Sequence, residues 1–393
     1  LGLLTELCKR HTVTLLAFHQ PALMKSMSQN PVTALTDAVR HLSTICARVE
    51  VFPIPAEQTR TARYALAFSS LLRKQPYTIN WLESREFAKA LRNGRAGDFD
   101  LVHFDTISLA AYRDCIERVP CVMNHHNIES HLLHRRARGD GPFVARAYDW
   151  QEAIRLERYE RQTADRFQSH VTCSELDKER LLRIAPAARC CVIPNGVDLE
   201  YFEPRLSSAP EPTFSFVGTL GWGPNRDAAD TIATRLWPAL AREWPQAKMY
   251  LVGANPPPSA RAVAARDPRF VVTGFTDDVR PHLAATSFFV CPITEGGGTK
   301  LKILNAMALG KVVIAHPIAC EGIDVVPGNN ALLASSVDDY IRETRALLAD
   351  TPRYLRIARA ARELIETRYA YAVIGREMDR EYRAVHATFG SQR

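Results

Sequence analysis

The sequence predicts an α/β protein of two domains, each built on its own parallel sheet. Three observations carry this. Short apolar runs that read as strands alternate with amphipathic helical stretches along the whole chain. One segment, Phe202-Glu203-Pro204-Arg205-Leu206-Ser207-Ser208-Ala209-Pro210-Glu211-Pro212, is rich in Pro and Ser and reads as an exposed linker. The length of 393 residues exceeds the size at which one hydrophobic core usually keeps growing.

Before the linker, strand signals fall at Thr12–Phe18, Arg48–Pro53, Leu101–Phe104, Cys121–Asn124, Ser169–Cys173 and Cys190–Ile193. After it they fall at Thr213–Val217, Lys248–Val252, Phe270–Thr273, Phe288–Cys291 and Val312–Ala315, again with helices between. Asn255-Pro256-Pro257-Pro258-Ser259 reads as a loop inside the second domain, and the charged stretch Gln151–Arg166 as a helix with a solvated face. The opening Leu1–Lys9 has helical spacing and leads straight into a strand, whereas a doubly wound sheet normally opens on a central strand. The expectation is a first domain that lacks its first strand and loop. The expected boundaries are 1–203, 204–370 and a C-terminal helix in 371–393 that returns to the first domain.

Composition excludes several classes. The 46% apolar and 24% charged content is globular, and no run approaches the ~18 apolar residues of a membrane span. The start also lacks the basic and small-residue flanks of a secretory signal, so a cytoplasmic protein is expected. Nine cysteines form no CxxC pair and have no histidines at zinc-finger spacing, and they read as reduced thiols. The net charge of +7 is spread, with 27 Lys/Arg against 23 Asp/Glu in residues 1–200 and 23 against 20 beyond. Nucleic-acid recognition needs clustering, so no nucleic-acid partner is expected, while a peripheral contact with an anionic membrane surface stays open. His125, His126, His131 and His134 have only Glu129 near them in sequence, which gives no metal-ligand pattern.

The segment with the most chemistry is Pro292-Ile293-Thr294-Glu295-Gly296-Gly297-Gly298-Thr299-Lys300-Leu301-Lys302-Ile303-Leu304-Asn305-Ala306-Met307-Ala308-Leu309-Gly310. It leaves an apolar strand, turns on three glycines and enters a helix. Such a turn can present backbone N–H groups, and the helix N-terminus behind it carries about half a positive charge, so a phosphate fits there.

This segment resembles the donor-site loop of retaining GT-B glycosyltransferases in the "glycosyl transferases group 1" family (glycosyltransferase family 4-like), in the subgroup that reads GGGT(R/K)LKILEAMA. Further matches keep their order along the chain: Phe99-Asp100-Leu101-Val102-His103, His125-His126-Asn127-Ile128-Glu129-Ser130, Ile193-Pro194-Asn195-Gly196-Val197-Asp198, Phe216-Val217-Gly218-Thr219-Leu220 with Trp222 and Pro224-Asn225, and Val272-Thr273-Gly274-Phe275. The resemblance implies two Rossmann-like domains facing across a cleft, an acceptor-side first domain and a second domain that holds a nucleotide-diphosphate sugar. It implies sugar transfer to a glycan or lipid-linked hydroxyl, with retention and without metal or cofactor.

Carried over by position, Gly218 and Thr219 lie where backbone approaches the diphosphate. Gly274 and Phe275 match the loop that lines the nucleobase, and Gly297, Gly298, Thr299 and Lys300 the loop around diphosphate and sugar. His126 matches a histidine that faces the donor sugar, and Glu295 is a candidate for a sugar hydroxyl. Two departures stand out. Asn305 occupies the place of a ribose-binding glutamate, with Gly297 eight positions before it where relatives carry another glutamate. The basic pair that follows the first-turn glycine in relatives is absent, so Lys300, Lys302 or Arg226 has to replace it. The alternatives are a nucleotide-sugar epimerase of the same fold and a catalytically degenerate nucleotide- or glycan-binding homologue. A nicotinamide dehydrogenase is disfavoured, since no GxGxxG follows an early strand.

Overall fold

The computed structural model describes residues 1–21, 31–57, 59–93, 99–139, 141–204 and 210–391. Residues 205–209 of the expected linker lie outside the described residues. The chain divides into two compact units, one formed by Leu3–Ile193 with Gly375–Arg393 and the other by Pro194–Ile374.

In the first unit, β1 (Thr14–His19) pairs with β2 (Arg48–Pro53), and β3 (Val102–Phe104), β4 (Cys121–His125), β5 (Ser169–Thr172) and β6 (Cys190–Val192) follow one another in a second sheet. Every pairing is parallel. Among the described residues β1 and β3 are not hydrogen-bonded to each other, so this unit holds two sheets instead of one. Aromatic packing ties the smaller sheet down: Phe18 stacks on Phe87 at 4.5 Å and Phe52 meets the same ring edge-on at 5.2 Å. Phe87 also lies 4.7 Å from the Tyr112 ring.

The helix Phe143–Ala164 corrects the reading of 151–166 as a solvated face. Glu152, Ala153, Leu156, Glu160, Thr163 and Ala164 are buried along it. Both glutamates act as caps. Glu152 accepts from the Tyr77 backbone N–H at 2.8 Å, and Glu160 accepts from the N–H and hydroxyl of Ser130 at the start of the helix Glu129–Arg138. Sequence periodicity cannot reveal a carboxylate that is buried in order to satisfy another element's orphan donors.

The helix Tyr371–Ser391 places Tyr382 Oη 2.8 Å from His103 Nδ1 and Glu381 2.9 Å from Arg189, which fixes its later turns in the first unit.

The second unit is one six-stranded parallel sheet in the order β12-β11-β10-β7-β8-β9, made of β7 (Thr213–Val217), β8 (Lys248–Val252), β9 (Phe270–Gly274), β10 (Phe288–Cys291), β11 (Val312–Ala315) and β12 (Leu332–Leu333). The runs Phe288–Cys291 and Val312–Ala315 are buried throughout, as strands covered on both faces must be. Phe214 stacks on Phe288 and Phe216 on Phe289 across the β7–β10 pair. The chain runs outward from β7 through β8 to β9, then crosses back to β10 and runs the other way to β12. The reversal leaves a crevice beyond the carboxyl ends of β7 and β10, the place where ligands approach open α/β sheets.

Candidate functional site

Both strands at the reversal end in glycine turns. After β7 the chain makes Gly218-Thr219-Leu220 and enters the helix Gly223–Thr231 with Pro224 in its first turn. The turn is held tightly from behind. Gly218 N–H donates to Val252 O at 3.0 Å, and a Cβ on Gly253, whose φ is +142°, would stand 1.7 Å from Gly218 O. Only glycine permits that approach. Gly253 N–H in turn donates to Gly274 O at 3.1 Å, which draws the end of β9 to the same place and leaves Phe275 57% exposed beside it.

After β10 comes the glycine loop. Gly296 and Gly298 adopt φ of +98° and +66°, and the Lys300 ammonium donates to the carbonyls of Gly296, Gly297 and Gly298 at 3.3, 3.0 and 3.0 Å. In a planar trans peptide the N–H points opposite to the C=O. Gathering three carbonyls on one ammonium therefore turns the N–H groups of Gly297, Gly298 and Thr299 away from it. Among the described residues none of these three N–H groups donates to another backbone carbonyl. Lys300 thus holds the shape of the loop, whose N–H groups face outward.

Lys302, in the first turn of the helix Leu301–Ala308, reaches the other turn. Its Nζ donates to Asn225 Oδ1 and lies 4.5 Å over the Phe216 ring, while Asn225 Nδ2 donates to Thr219 O at 3.1 Å. A Cβ on Gly218 would come within 2.8 Å of that ammonium. Burial pushes the Lys302 ammonium down to about 8, and Lys300 repels it further. Trp222 and Pro224 close the arrangement, since a Cβ on Gly296 would meet Pro224 Cγ at 3.5 Å and Trp222 Cη2 at 4.0 Å. Trp222 is 54% exposed, unlike most aromatics of its size.

The fold thus brings Gly218, Thr219, Gly274, Phe275, Gly297, Gly298, Thr299 and Lys300 to one end of the second sheet. Asn305 follows Lys302 by one helical turn and is half-buried, and Glu295 is exposed at the loop's entry. Thr299 anchors the far side through its hydroxyl, 3.4 Å from Gly322 O. Arg226 is turned to Asp227 at 3.2 Å. Asn225 was visible only as part of a motif, because its task of joining Lys302 to Thr219 depends on tertiary contact.

His126 lies in the first unit, just past β4. Asp105 Oδ1 stands 3.2 Å from His126 Nε2 and 3.7 Å from His103 Nε2, and it accepts from Asn124 Nδ2 at 2.9 Å. The Asp105 hydrogen bond, helped by Cys173, raises His126 to about 10. Enclosure acts to raise the Asp105 carboxyl, but hydrogen bonds from His103 and His126 outweigh it and hold it well below the usual carboxylate range. At neutral pH His126 is an imidazolium, able to donate two N–H bonds and unable to accept a proton. The neighbouring His125 is buried and held neutral, its Nε2 3.0 Å from His170 Nδ1, while His170 Nε2–H donates to Ala164 O. His134 turns to Glu157 at 3.1 Å. Among the described residues no group of three His, Cys, Asp or Glu side chains is placed to hold a metal ion. No helix among them is long and apolar enough to cross a membrane.

Comparison with known proteins agrees with this fold. No curated protein matches the chain. Among solved structures it is similar to sucrose-phosphate synthase from Thermosynechococcus elongatus, at 16% identity over 96% of this chain and 100% of that one, with a TM-score of 0.62. It is likewise similar to Anabaena HepE in complex with UDP and glucose, at 16% identity over 95% and 100% with a TM-score of 0.61. A glycosyltransferase from Rickettsia africae aligns at 14% identity over 95% and 99%, with a TM-score of 0.59. These likenesses fix the fold as GT-B. The family profile described as "Glycosyltransferase Family 4" matches residues 2–201 and that described as "Glycosyl transferases group 1" matches residues 211–350. Two parallel α/β units and two profiles that together span most of the sequence lead to one conclusion: the chain belongs to the family 4, group 1 glycosyltransferases.

Proposed function

We propose that the protein transfers a sugar from a nucleotide-diphosphate sugar to a hydroxyl of a glycan or lipid-linked acceptor, with retention at the anomeric carbon and with no metal or cofactor. The observation that carries this is the Lys302 ammonium, held by Asn225 at the Gly218 turn where the second sheet reverses, at the start of the helix that the glycine loop enters. A departing diphosphate gains negative charge, and a cation and helix N-terminus already fixed in place need no reorganisation as the bond breaks. Lys302 supplies charge where relatives carry a basic pair. In this reading the second unit is the donor side, with Gly274 and Phe275 at the base, Asn305 at the ribose and Glu295 at a sugar hydroxyl, and the first unit is the acceptor side. His126 is the candidate catalytic residue from that unit. As an imidazolium it serves as a hydrogen-bond donor to the sugar, not as a general base, so proton removal from the acceptor falls to the leaving phosphate.

That Anabaena HepE has been crystallised with UDP-glucose supports a nucleotide sugar as the donor class. The cytoplasmic location and peripheral contact with an anionic membrane face belong to the same reading. Thermal shift against uridine, guanosine and adenosine diphosphates tests it first, because a ligand of the folded state raises stability by RT ln(1+[L]/Kd). Stabilisation by one of them, followed by anomeric NMR of the product formed with and without EDTA, is the expected sequence of results. No stabilisation by any diphosphate, or an inverted product, overturns it.

A further inference from the structure

Tyr382 of the helix Tyr371–Ser391 is held between two imidazoles. The His11 ring meets it edge-on at 6.0 Å and the His103 ring at 5.8 Å. One turn earlier on the same face of that helix, Asp379 Oδ1 stands 2.8 Å from His11 Nε2 and accepts from Arg383 Nε at 3.0 Å. The ring is fixed from both sides, and among the described residues its hydroxyl meets one partner, His103 Nδ1 at 2.8 Å.

The opposite nitrogen of His103 faces Asp105. His103 Nε2 lies 3.7 Å from Asp105 Oδ1, the oxygen that also stands 3.2 Å from His126 Nε2 and accepts from Asn124 Nδ2 at 2.9 Å. The sign of the His103 contact depends on which ring nitrogen carries the proton. Burial, with the Asp105 charge adding, pushes the Tyr382 hydroxyl up, so it keeps its own proton. An imidazole with one ring proton then has two arrangements. With the proton on Nε2, the Tyr382 hydroxyl donates to the Nδ1 lone pair and an N–H faces the carboxylate. With the proton on Nδ1, the hydroxyl loses this acceptor and a lone pair is set against the carboxylate. Both neighbours of His103 select the first arrangement. The His126 contact fits a carboxylate with two claimants, since 3.2 Å is longer than the ~2.7–2.9 Å usual for a charge-assisted bond.

We propose that Tyr382 is a positioning residue for His126: it fixes the His103 proton on Nε2, so that the Asp105 carboxylate is shared between two imidazoles instead of being held by His126 alone. The last helix of the chain thereby completes a cluster whose other members come from β3, β4 and the residues just past them. The proposal rests on the reading of His126 given above and on nothing in the second unit.

Proton–nitrogen correlation NMR of the full chain with nitrogen-labelled histidine tests it, with peaks assigned through His103→Gln and His126→Gln. In the wild type His103 should carry its proton on Nε2. Tyr382→Phe keeps the ring between His11 and His103 and deletes only the hydroxyl, so the ratio of tautomers should move about two- to tenfold toward Nδ1–H, the factor expected of one neutral hydrogen bond. His126 should then titrate higher than in the wild type, because the N–H that competed for Asp105 has turned away. Cys173, Glu129 and the neutral His125, which also face His126, are the same in both proteins. A tyrosine that merely propped the fold would give the opposite result, a lower melting temperature and a His126 midpoint falling toward the ordinary ~6.5. That outcome, a wild-type His103 protonated on Nδ1, or a variant in which His103 and His126 both stay unmoved each overturns the proposal. The diphosphate thermal shift of the same samples separates the two readings. An unmoved tautomer beside a retained diphosphate shift removes the role of Tyr382 alone, and a moved tautomer without any diphosphate shift removes the transfer reading alone.

Discussion

Replacing Lys302 by Met separates charge from packing at the proposed diphosphate site. Met keeps most of the side chain's length over the Phe216 ring and removes the ammonium that Asn225 holds beneath the Gly218 turn. A charge-assisted hydrogen bond contributes roughly 1.5–3 kcal/mol, so diphosphate affinity should fall by about ten- to a hundredfold. Stability should move the other way or stay level. Holding the ammonium near 8 instead of 10.5 corresponds to about 3 kcal/mol of unfavourable charge burial, which Met removes. Against this stands about 1–3 kcal/mol for an Asn225 oxygen left without its donor. The pH dependence carries a sign as well. A lysine with a depressed folded pKa binds fewer protons than the unfolded chain between about 8 and 10.5, so the unliganded protein gains stability across that window. Diphosphate binding needs the proton, so wild-type affinity should decline above pH ~8 while the Met variant shows no such decline. Calorimetric titration with the stabilising nucleotide diphosphate between pH 7 and 10, beside melting curves, reads both effects. A Met variant that melts like wild type and binds diphosphate equally well refutes the assignment and returns the counter-charge to Lys300 or the N–H array alone. Lys300→Ala is the contrasting variant: it frees three carbonyls and should cost the loop its shape.

Other outcomes follow from single contacts. Asp105→Asn removes the main cause of the raised His126 pKa, so NMR should find the imidazole titrating near the ordinary ~6.5 instead of about 10; a persistently high value places the cause elsewhere. The stability contributed by this pair in the wild type is lost as pH rises from ~6.5 through about 10, and on the acid side as Asp105 becomes protonated. Asn305→Glu should tighten donor binding roughly 5- to 30-fold, since a carboxylate accepts from both ribose hydroxyls, and the gain should vanish for a ligand without them. Unchanged binding moves the ribose away from residue 305. Burial pushes Glu160 up to about 7, so its ionisation costs stability as pH rises from ~4.5 to 7. Glu160→Gln should therefore gain about 1–3 kcal/mol at pH 8 in chemical denaturation and little at pH 4. Destabilisation at pH 8 would show that the ionised carboxylate's bonds to Ser130 outweigh its burial.

Much of this protein was legible before folding. Strands Thr213–Val217, Lys248–Val252 and Val312–Ala315 coincide with the runs read from the sequence, because strands of a parallel sheet covered on both faces are largely apolar. The two-residue strand β12 was not seen, being too short to show any period. Residue types at the glycine loop pointed to an anion, since three glycines at a strand-to-helix junction, followed by Thr299 and Lys300, can present backbone N–H groups beside a helix N-terminus. What the loop does with them was not legible. The sequence offered Lys300, Lys302 and Arg226 as substitutes for a missing basic pair, with Lys300 the expected diphosphate contact, and choosing among them required distances. Lys300 spends its donors on its own loop, Arg226 faces Asp227, and Lys302 reaches the Gly218 turn through Asn225. The same holds for Asp105, whose hydrogen bond raises the pKa of His126, and for Glu152 and Glu160, buried where charge patterning put solvent. The sequence by itself determined the α/β class, most strand positions and the residue types of the loop, because burial and turn geometry constrain residue type locally. Only the tertiary structure decided which charges are spent and which are free to act, because a side chain's partners come from distant segments.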